Sequence, residues 1–285
     1  MFRENITFQK TLKKPISFEG IGLHKGEYSL IHLLPSDENT GIMFEFDNKV
    51  FPVSPKNVCD TLQNITLCFN SYKIMTVEHL FSVFVGLGID NVVIKVVSGS
   101  EIPILEGSAQ VFVEKVLEVG TVQQSARRNY LFLGKEYSFY KNEDQYIIAR
   151  PSDRLVIDYE VEFEVIGKES IRIEINEENY VKEISRARTF GFLEDAEKLK
   201  KAGLALGASM ENVHVYSRAE RKSLNGDRYH NENVRHKVLD LLGAIALTNP
   251  RVVGEFIARK SGHYIDCKLI MNIVEGESKE EGKIV

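Results

Sequence analysis

Apolar and polar positions change places in short runs over the first fifty residues. Pro15–Phe18, Tyr28–Leu34, Ile42–Phe46 and Val50–Val53 read as strands, punctuated by glycines and by Asn39-Thr-Gly41. Leu80 to Leu87 is apolar on nearly every side, the pattern of a helix buried between layers. Gly88 ends it, and Asn91–Val97 reads as a buried strand. Ser108 suits an N-cap, after which Ala109, Phe112, Val113, Val116 and Leu117 recur at helical spacing until Gly120. The polar stretch Thr121–Asn129 reads as a linker. Beyond it, Leu155, Ile157, Tyr159, Val161, Phe163 and Val165 alternate with Val156, Asp158, Glu160, Glu162 and Glu164, a strand with one dry face and one wet face. Gly167-Lys168 turns it into a partner, Ser170–Ile175. An apolar helix over 237–247 precedes Asn249-Pro250 and a strand Val252–Ala258, and Ser261-Gly262-His263 closes a late strand. On that extended chain Asp266 would point to the face opposite His263.

A faint repeat runs through this pattern. His79 opens a helix, Gly86 follows seven residues on, and a strand comes next; His236 and Gly243 repeat the offset. Two sheet-plus-helices units would place both histidines at the interface between them. Between the units, Phe192, Ala196 and Leu199 form an apolar stripe backed by Glu194, Asp195, Glu197, Lys198, Lys200 and Lys201. By composition this is a plain amphipathic helix, most simply core packing.

The bulk numbers narrow the classes. A chain of 285 residues is long for one domain and comfortable for two. With 43% hydrophobic and 27% charged residues it reads as a soluble globular protein, and a net charge of −5 argues against broad nucleic-acid binding. No run has signal-peptide or membrane-spanning character. Cys59, Cys68 and Cys267 are an odd number without C-x-x-C spacing, which predicts reduced thiols of a cytoplasmic protein. The stretch from Asn272 is dominated by Glu, Lys and Gly, the composition of a flexible tail.

Candidate chemistry gathers at three places. His236 and Asp240 are four apart, on one face of the predicted helix, and can share a zinc ion. A further histidine, from Glu78-His79 or from Ser261-Gly262-His263, would complete a His2Asp set with an open fourth position. That is the catalytic rather than the structural zinc pattern. An adjacent glutamate would supply the base such chemistry needs. Lys237 adds a fixed positive charge. His24, in the turn Gly20-Ile-Gly-Leu-His-Lys-Gly26, has no local partner and reads as structural.

Several stretches taken in order resemble one family. They are Gly20-Ile-Gly-Leu-His-Lys-Gly, Thr76-Val-Glu-His-Leu, Gly86-Leu-Gly-Ile-Asp-Asn and Ile102-Pro-Ile-Leu-Glu-Gly-Ser. Ser185-Arg-Ala-Arg-Thr-Phe-Gly-Phe, Leu204-Ala-Leu-Gly-Ala-Ser, Arg235-His-Lys-Val-Leu-Asp and Lys260-Ser-Gly-His follow. The sequence resembles the UDP-3-O-acyl-N-acetylglucosamine deacetylases, zinc hydrolases of the committed step of lipid A synthesis in Gram-negative bacteria. The likeness covers about residues 8 to 271.

The resemblance implies an α+β fold of two similar domains, 1–124 and 129–271, layered around the metal; the compositional tail covers 272–285. It implies one Zn2+ on His79, His236 and Asp240, with Glu78 as general base and His263 as the catalytic histidine. Thr189 would help hold the oxyanion, and Lys237 would stand near the reaction centre. An insert at about 191–221 would form an acyl passage, so that Phe192, Ala196, Leu199, Leu204 and Val215 become its candidate walls. Lys237, Lys260 and Arg259 are candidate partners of the pyrophosphate, and Phe190 a candidate substrate contact. The implied partner is an acylated UDP-sugar, with no nucleic acid and no transmembrane segment, and the implied state a cytoplasmic monomer.

The sequence departs from the family pattern in three places. A second aspartate, four residues after the metal-binding one, orients the catalytic histidine in relatives; here that position is Ala244. Asp-Gly-Ser reads Glu106-Gly-Ser, and Gly-Gly-Ser reads Gly207-Ala208-Ser209. Ala244 motivates a rival expectation, a weakened or silent homologue that binds an acylated nucleotide sugar; release of acetate separates the two. For an enzyme, it predicts slower turnover and an alkaline limb moved to lower pH.

Overall fold

Strands with apolar residues at alternate positions pair into two five-stranded sheets built to one plan. The computed structural model describes residues 7–249 and 251–281, so Pro250 of the expected Asn249-Pro250 turn lies outside it. The first half runs β1 (Phe8–Leu12), β2 (Ile16–Ile21), β3 (Tyr28–Pro35), β4 (Ile42–Phe46) and β5 (Lys49–Pro52). A small sheet, β6 (Val58–Asp60), β7 (Thr66–Phe69) and β8 (Tyr72–Ile74), leads into α1 (Glu78–Leu87). Then come β9 (Val92–Ser98), α2 (Gln110–Val119) and β10 (Thr121–Arg127).

The second half begins with β11 (Tyr130–Phe132), β12 (Tyr137–Tyr140), β13 (Tyr146–Arg150), β14 (Val156–Phe163) and β15 (Gly167–Glu174). A short α3 (Glu177–Asn179) precedes β16 (Phe190–Phe192), α4 (Ala196–Lys201), β17 (His214–Ser217) and β18 (Lys222–Ser223). The chain ends through α5 (Glu232–Ile245), β19 (Arg251–Val253), β20 (Glu255–Arg259) and α6 (His263–Glu281).

The two large sheets are ordered β2-β3-β9-β4-β5 and β12-β13-β20-β14-β15. In each, the late strand enters the middle, antiparallel to one neighbour (β3–β9, β13–β20) and parallel to the other (β4–β9, β14–β20). Each late strand is flanked in sequence by helices, α1 and α2 in one half, α5 and α6 in the other. The α+β repeat expected from the histidine–glycine offset is therefore a repeat of topology.

Burial follows the alternation. Ile157, Tyr159 and Val161 of β14 are buried while Asp158, Glu160 and Glu162 are not. All ten residues of α1 are buried, as its apolar surround predicts. Phe81 of α1 meets Phe44 of β4 at 6.0 Å between ring centroids, and α5 packs on β14, so α1 and α5 meet between the two sheets. Fully burying Phe81 and Phe84 is worth roughly 1.5–3 kcal/mol each. Where the helices cross, Gly243 lies over the start of α1. A Cβ there would stand 2.6 Å from Glu78 Cα and 2.8 Å from its carbonyl carbon, so only glycine lets the backbones approach. Gly86 does not mirror it, because its open side is filled by the Tyr180 ring.

Four expectations need correction. Thr121–Asn129 is not a linker throughout, since β10 pairs antiparallel with β1; its polar residues suit a strand largely bathed in water. His263 does not close a strand: β20 stops at Arg259 and His263 opens α6. The stretch from Asn272 continues that helix to Glu281, because Ile265, Leu269, Ile270 and Ile273 recur at helical spacing and are buried; residues 282–285 lie outside the described part. Cys59 and Cys68 are joined in a disulfide across β6 and β7, and only Cys267 is free. Antiparallel pairing brings the two cysteines together, a relation that a search for C-x-x-C cannot reveal. Among the described residues no helix is long and apolar enough to cross a membrane.

Candidate active site

The start of α1 is set by an unusual backbone. Thr76 has φ +58°, rare for a β-branched residue. Its hydroxyl donates to Glu101 at 2.7 Å, and its amide donates to Asn64 at 3.3 Å. Glu101 also accepts from the backbone amides of His24 and Lys25, so one buried carboxylate ties the Gly20–Gly26 turn to the head of α1. Glu78 and His79 then occupy the first turn of α1, facing the middle of α5.

His79, His236 and Asp240 offer three ligand atoms within 4.8 Å of one another, all from buried residues. The two imidazoles meet edge to face, 5.0 Å between centroids. His236 Nδ1 lies 3.0 Å from the Ala187 carbonyl, which fixes the ring and leaves Nε2 for the site, 3.4 Å from Asp240 Oδ1. Burial, then the neighbouring His236, lowers His79 to about 3, and burial also lowers His236, so both rings present lone pairs. Burial works against the Asp240 carboxylate, yet Lys237 and the surrounding histidines outweigh it and hold Asp240 well below its usual range. His79 Nδ1 and Asp240 Oδ1 are buried without a hydrogen-bond partner. Two neutral imidazoles and a carboxylate with unmet lone pairs fit a divalent metal.

Around this set stand the other expected groups. Glu78 Oε2 accepts from the Ile65 amide at 2.9 Å, and its Oε1 is 3.9 Å from His263 Nε2. Burial and then Asp240 push Glu78 well above the usual carboxylate range, against the pull of the Ile65 amide and Lys237. His263 Nε2 also lies 3.8 Å from Asp240 Oδ2, while Lys237 Nζ donates to that oxygen at 2.7 Å. Thr189 is held by its backbone, donating to Gly107 and accepting from His214, each at 2.7 Å. A cavity of about 380 Å³ joins them: Glu78, His79, Thr189, Phe190, His236, Lys237, Asp240, Lys260 and His263 all line it.

The remaining expectations divide. Arg259 does not line the cavity, since its guanidinium is engaged by Asp158 at 2.8 Å. Lys260 lines it, paired with Glu162 at 2.6 Å. Phe192, Ala196, Leu199 and Leu204 are half-buried and Val215 is buried; none belongs to the main hydrophobic cluster and none lines this cavity. His24, read as structural, lines the cavity, and both its ring nitrogens are buried without partners. Asp266 is not turned away on a strand but lies on α6, one helical turn after His263 and fully buried. Thr76 entered the sequence reading only as the first residue of Thr76-Val-Glu-His-Leu, without a role, and Glu101 escaped it. The one available signal was Glu101 standing just before the quoted Ile102-Pro-Ile motif.

A family model described as LpxC: UDP-3-O-acyl N-acetylglycosamine deacetylase matches residues 9–275. The chain belongs to this family. Among its curated relatives, the UDP-3-O-acyl-N-acetylglucosamine deacetylase of Psychrobacter sp. (strain PRwf-1) is 39% identical over 273 residues, 93% of this chain and 91% of that one. The protein of that name from Nautilia profundicola is 36% identical over 95% of this chain and 94% of its own. That from Hahella chejuensis is 38% identical over 93% and 90%. Such coverage spans both sheets and both central helices. Thr76–Leu80 and Arg235–Asp240 fall at the head of α1 and in the first half of α5, and both stretches contribute residues to the cavity lining.

Proposed function

We propose that the chain hydrolyses the N-acetyl group of a UDP-3-O-acyl-N-acetylglucosamine, releasing acetate and a free amine, the committed step of lipid A synthesis. The observation that carries this is the meeting, in one cavity, of the His79/His236/Asp240 donor set with Glu78 and His263. Those three donors would hold one zinc ion, whose Lewis acidity polarises an amide carbonyl and acidifies water.

The protein's own groups account for the proton transfers. Glu78, its carboxyl held above the usual range by burial, takes a proton from the attacking water as its oxygen bonds to the acetyl carbon. The Thr189 hydroxyl donates to the oxygen that gains charge. As the C–N bond breaks, a proton passes to the departing nitrogen, which His263 supplies. Lys237, pinned on Asp240, keeps a positive charge beside the developing negative one. Lys260 at the cavity mouth is the candidate partner of the pyrophosphate, and Phe190 a wall for the sugar. Phe192, Ala196, Leu199, Leu204 and Val215 form the acyl passage beyond the cavity. We place the reaction in the cytoplasm and on a monomer.

The test is acetate release from the zinc-loaded protein with its authentic substrate. Glu78→Ala is expected to retain zinc and lose roughly 10²- to 10⁴-fold in turnover. Turnover near the native value in that variant removes Glu78 from the mechanism. No acetate from the native protein leaves a binding homologue.

A further inference from the structure

The proposed mechanism uses one nitrogen of His263 and leaves the other without a role. Nε2 faces the reaction centre, 3.9 Å from Glu78 and 3.8 Å from Asp240. The two nitrogens of an imidazole point in widely divergent directions, so Nδ1 is aimed away from that centre and into the protein. It is buried there without a hydrogen-bond partner. An imidazole that must present one nitrogen to a substrate is normally oriented through the other.

Asp266 is the unused carboxylate on the same helix. Side chains three apart on a helix are neighbours on one face, and His263 and Asp266 are so spaced in the first turn of α6. Asp266 is fully buried. Its Oδ1 accepts from the Ser261 hydroxyl, which anchors the group, and its Oδ2 is buried with no partner. The other carboxylates near the ring are committed on its far side: Glu78 Oε2 holds the Ile65 amide and Asp240 Oδ2 holds Lys237. On α5 the residue one turn beyond Asp240 is Ala244, a buried methyl with no polar group to offer.

We propose that Asp266 is the positioning residue of His263, its free oxygen accepting from Nδ1–H and so fixing which nitrogen the ring presents to the cavity. His263 Nδ1 and Asp266 Oδ2 are both buried without a partner, so a rotation that brings them together removes two desolvation penalties at once. The inference rests on the deacetylase reading for what His263 does, but not for how its ring is held. A carboxylate delivered from α6 takes the place of one delivered from α5, so Ala244 is no mark of a silent homologue. Burial and then Asp266 itself push the Tyr159 phenol well above its ordinary value, so a purely structural partner for Asp266 is also at hand.

Two measurements separate these. Asp266→Asn preserves size and the bond from Ser261 while removing the carboxylate. In the zinc-loaded variant kcat should fall about 10- to 100-fold with KM within about twofold and zinc content unchanged. A kcat within about twofold of the native value overturns the proposal, whatever happens to Tm. The second measurement needs no variant and no reaction. In native protein labelled with 15N-histidine, Nδ1 of His263 should carry a hydrogen-bonded proton, with a downfield resonance slow to exchange. A ring protonated on Nε2 alone overturns the proposal, even if the protein releases no acetate.

Discussion

Gly243→Ala tests whether the crossing of α1 and α5 sets the donor geometry. A methyl at this position would begin 2.6 Å from Glu78 Cα and 2.8 Å from its carbonyl carbon. Carbon atoms rest at about 3.5–4.0 Å, so the helices must part by about 1 Å. Neither contact can swing aside, because both are backbone atoms. Overpacking of this kind costs about 1–3 kcal/mol, which for a chain of this size lowers Tm by several degrees. The functional effect should be larger. His79 rides on α1, His236 and Asp240 on α5, and metal–ligand distances tolerate about 0.2 Å. A parting several times that tolerance should weaken zinc binding at least tenfold, read by competition with a chromophoric chelator, with Tm measured in parallel on metal-free protein. Unchanged zinc affinity in a folded Gly243→Ala protein would refute the idea that this contact sets the site.

Leu199→Glu should shorten the acyl chains accepted while leaving zinc content alone, because each methylene denied burial forfeits about 0.8 kcal/mol; an unchanged chain-length profile would return the half-buried stripe to packing. Ala244→Asp places a polar group where the side chain is now fully buried, at a cost of about 1–3 kcal/mol even if neutral. We expect a lower Tm and no gain in kcat, and a raised kcat at unchanged Tm would argue that Asp266 does not already serve His263.

Much of this site was legible because its chemistry lies in helices with strong periodicity. The apolar surround of α1 and the His236/Asp240 spacing on α5 are local facts that survive folding unchanged. The rest depended on partners distant in sequence. Glu101 matters through the amides of His24 and Lys25, which no pattern around residue 101 announces. The Cys59–Cys68 bond follows from strand register and not from spacing. On α6, the Glu- and Lys-rich end masked a buried stripe already present in Ile265, Leu269, Ile270 and Ile273, and reading that segment as extended turned Asp266 to the wrong side. His24 reaches the cavity lining on a turn held by Glu101 and by the Leu206 amide, both far from it in sequence.

The meeting of α1 and α5 also fixes when the donor set can exist. His79 and His236 belong to opposite halves of the chain, so they converge only after a long loop has closed, against its entropy, and after the apolar faces of both helices have docked. An ion that binds only the docked state adds RT ln(1 + [L]/Kd) to stability, about 2.7 kcal/mol at a hundredfold excess over Kd. For donors that assemble after the folding transition state, that gain falls on the unfolding barrier and hardly touches the rate of folding. The metal then acts as a latch: it lengthens the lifetime of the closed helix pair without hastening its closure.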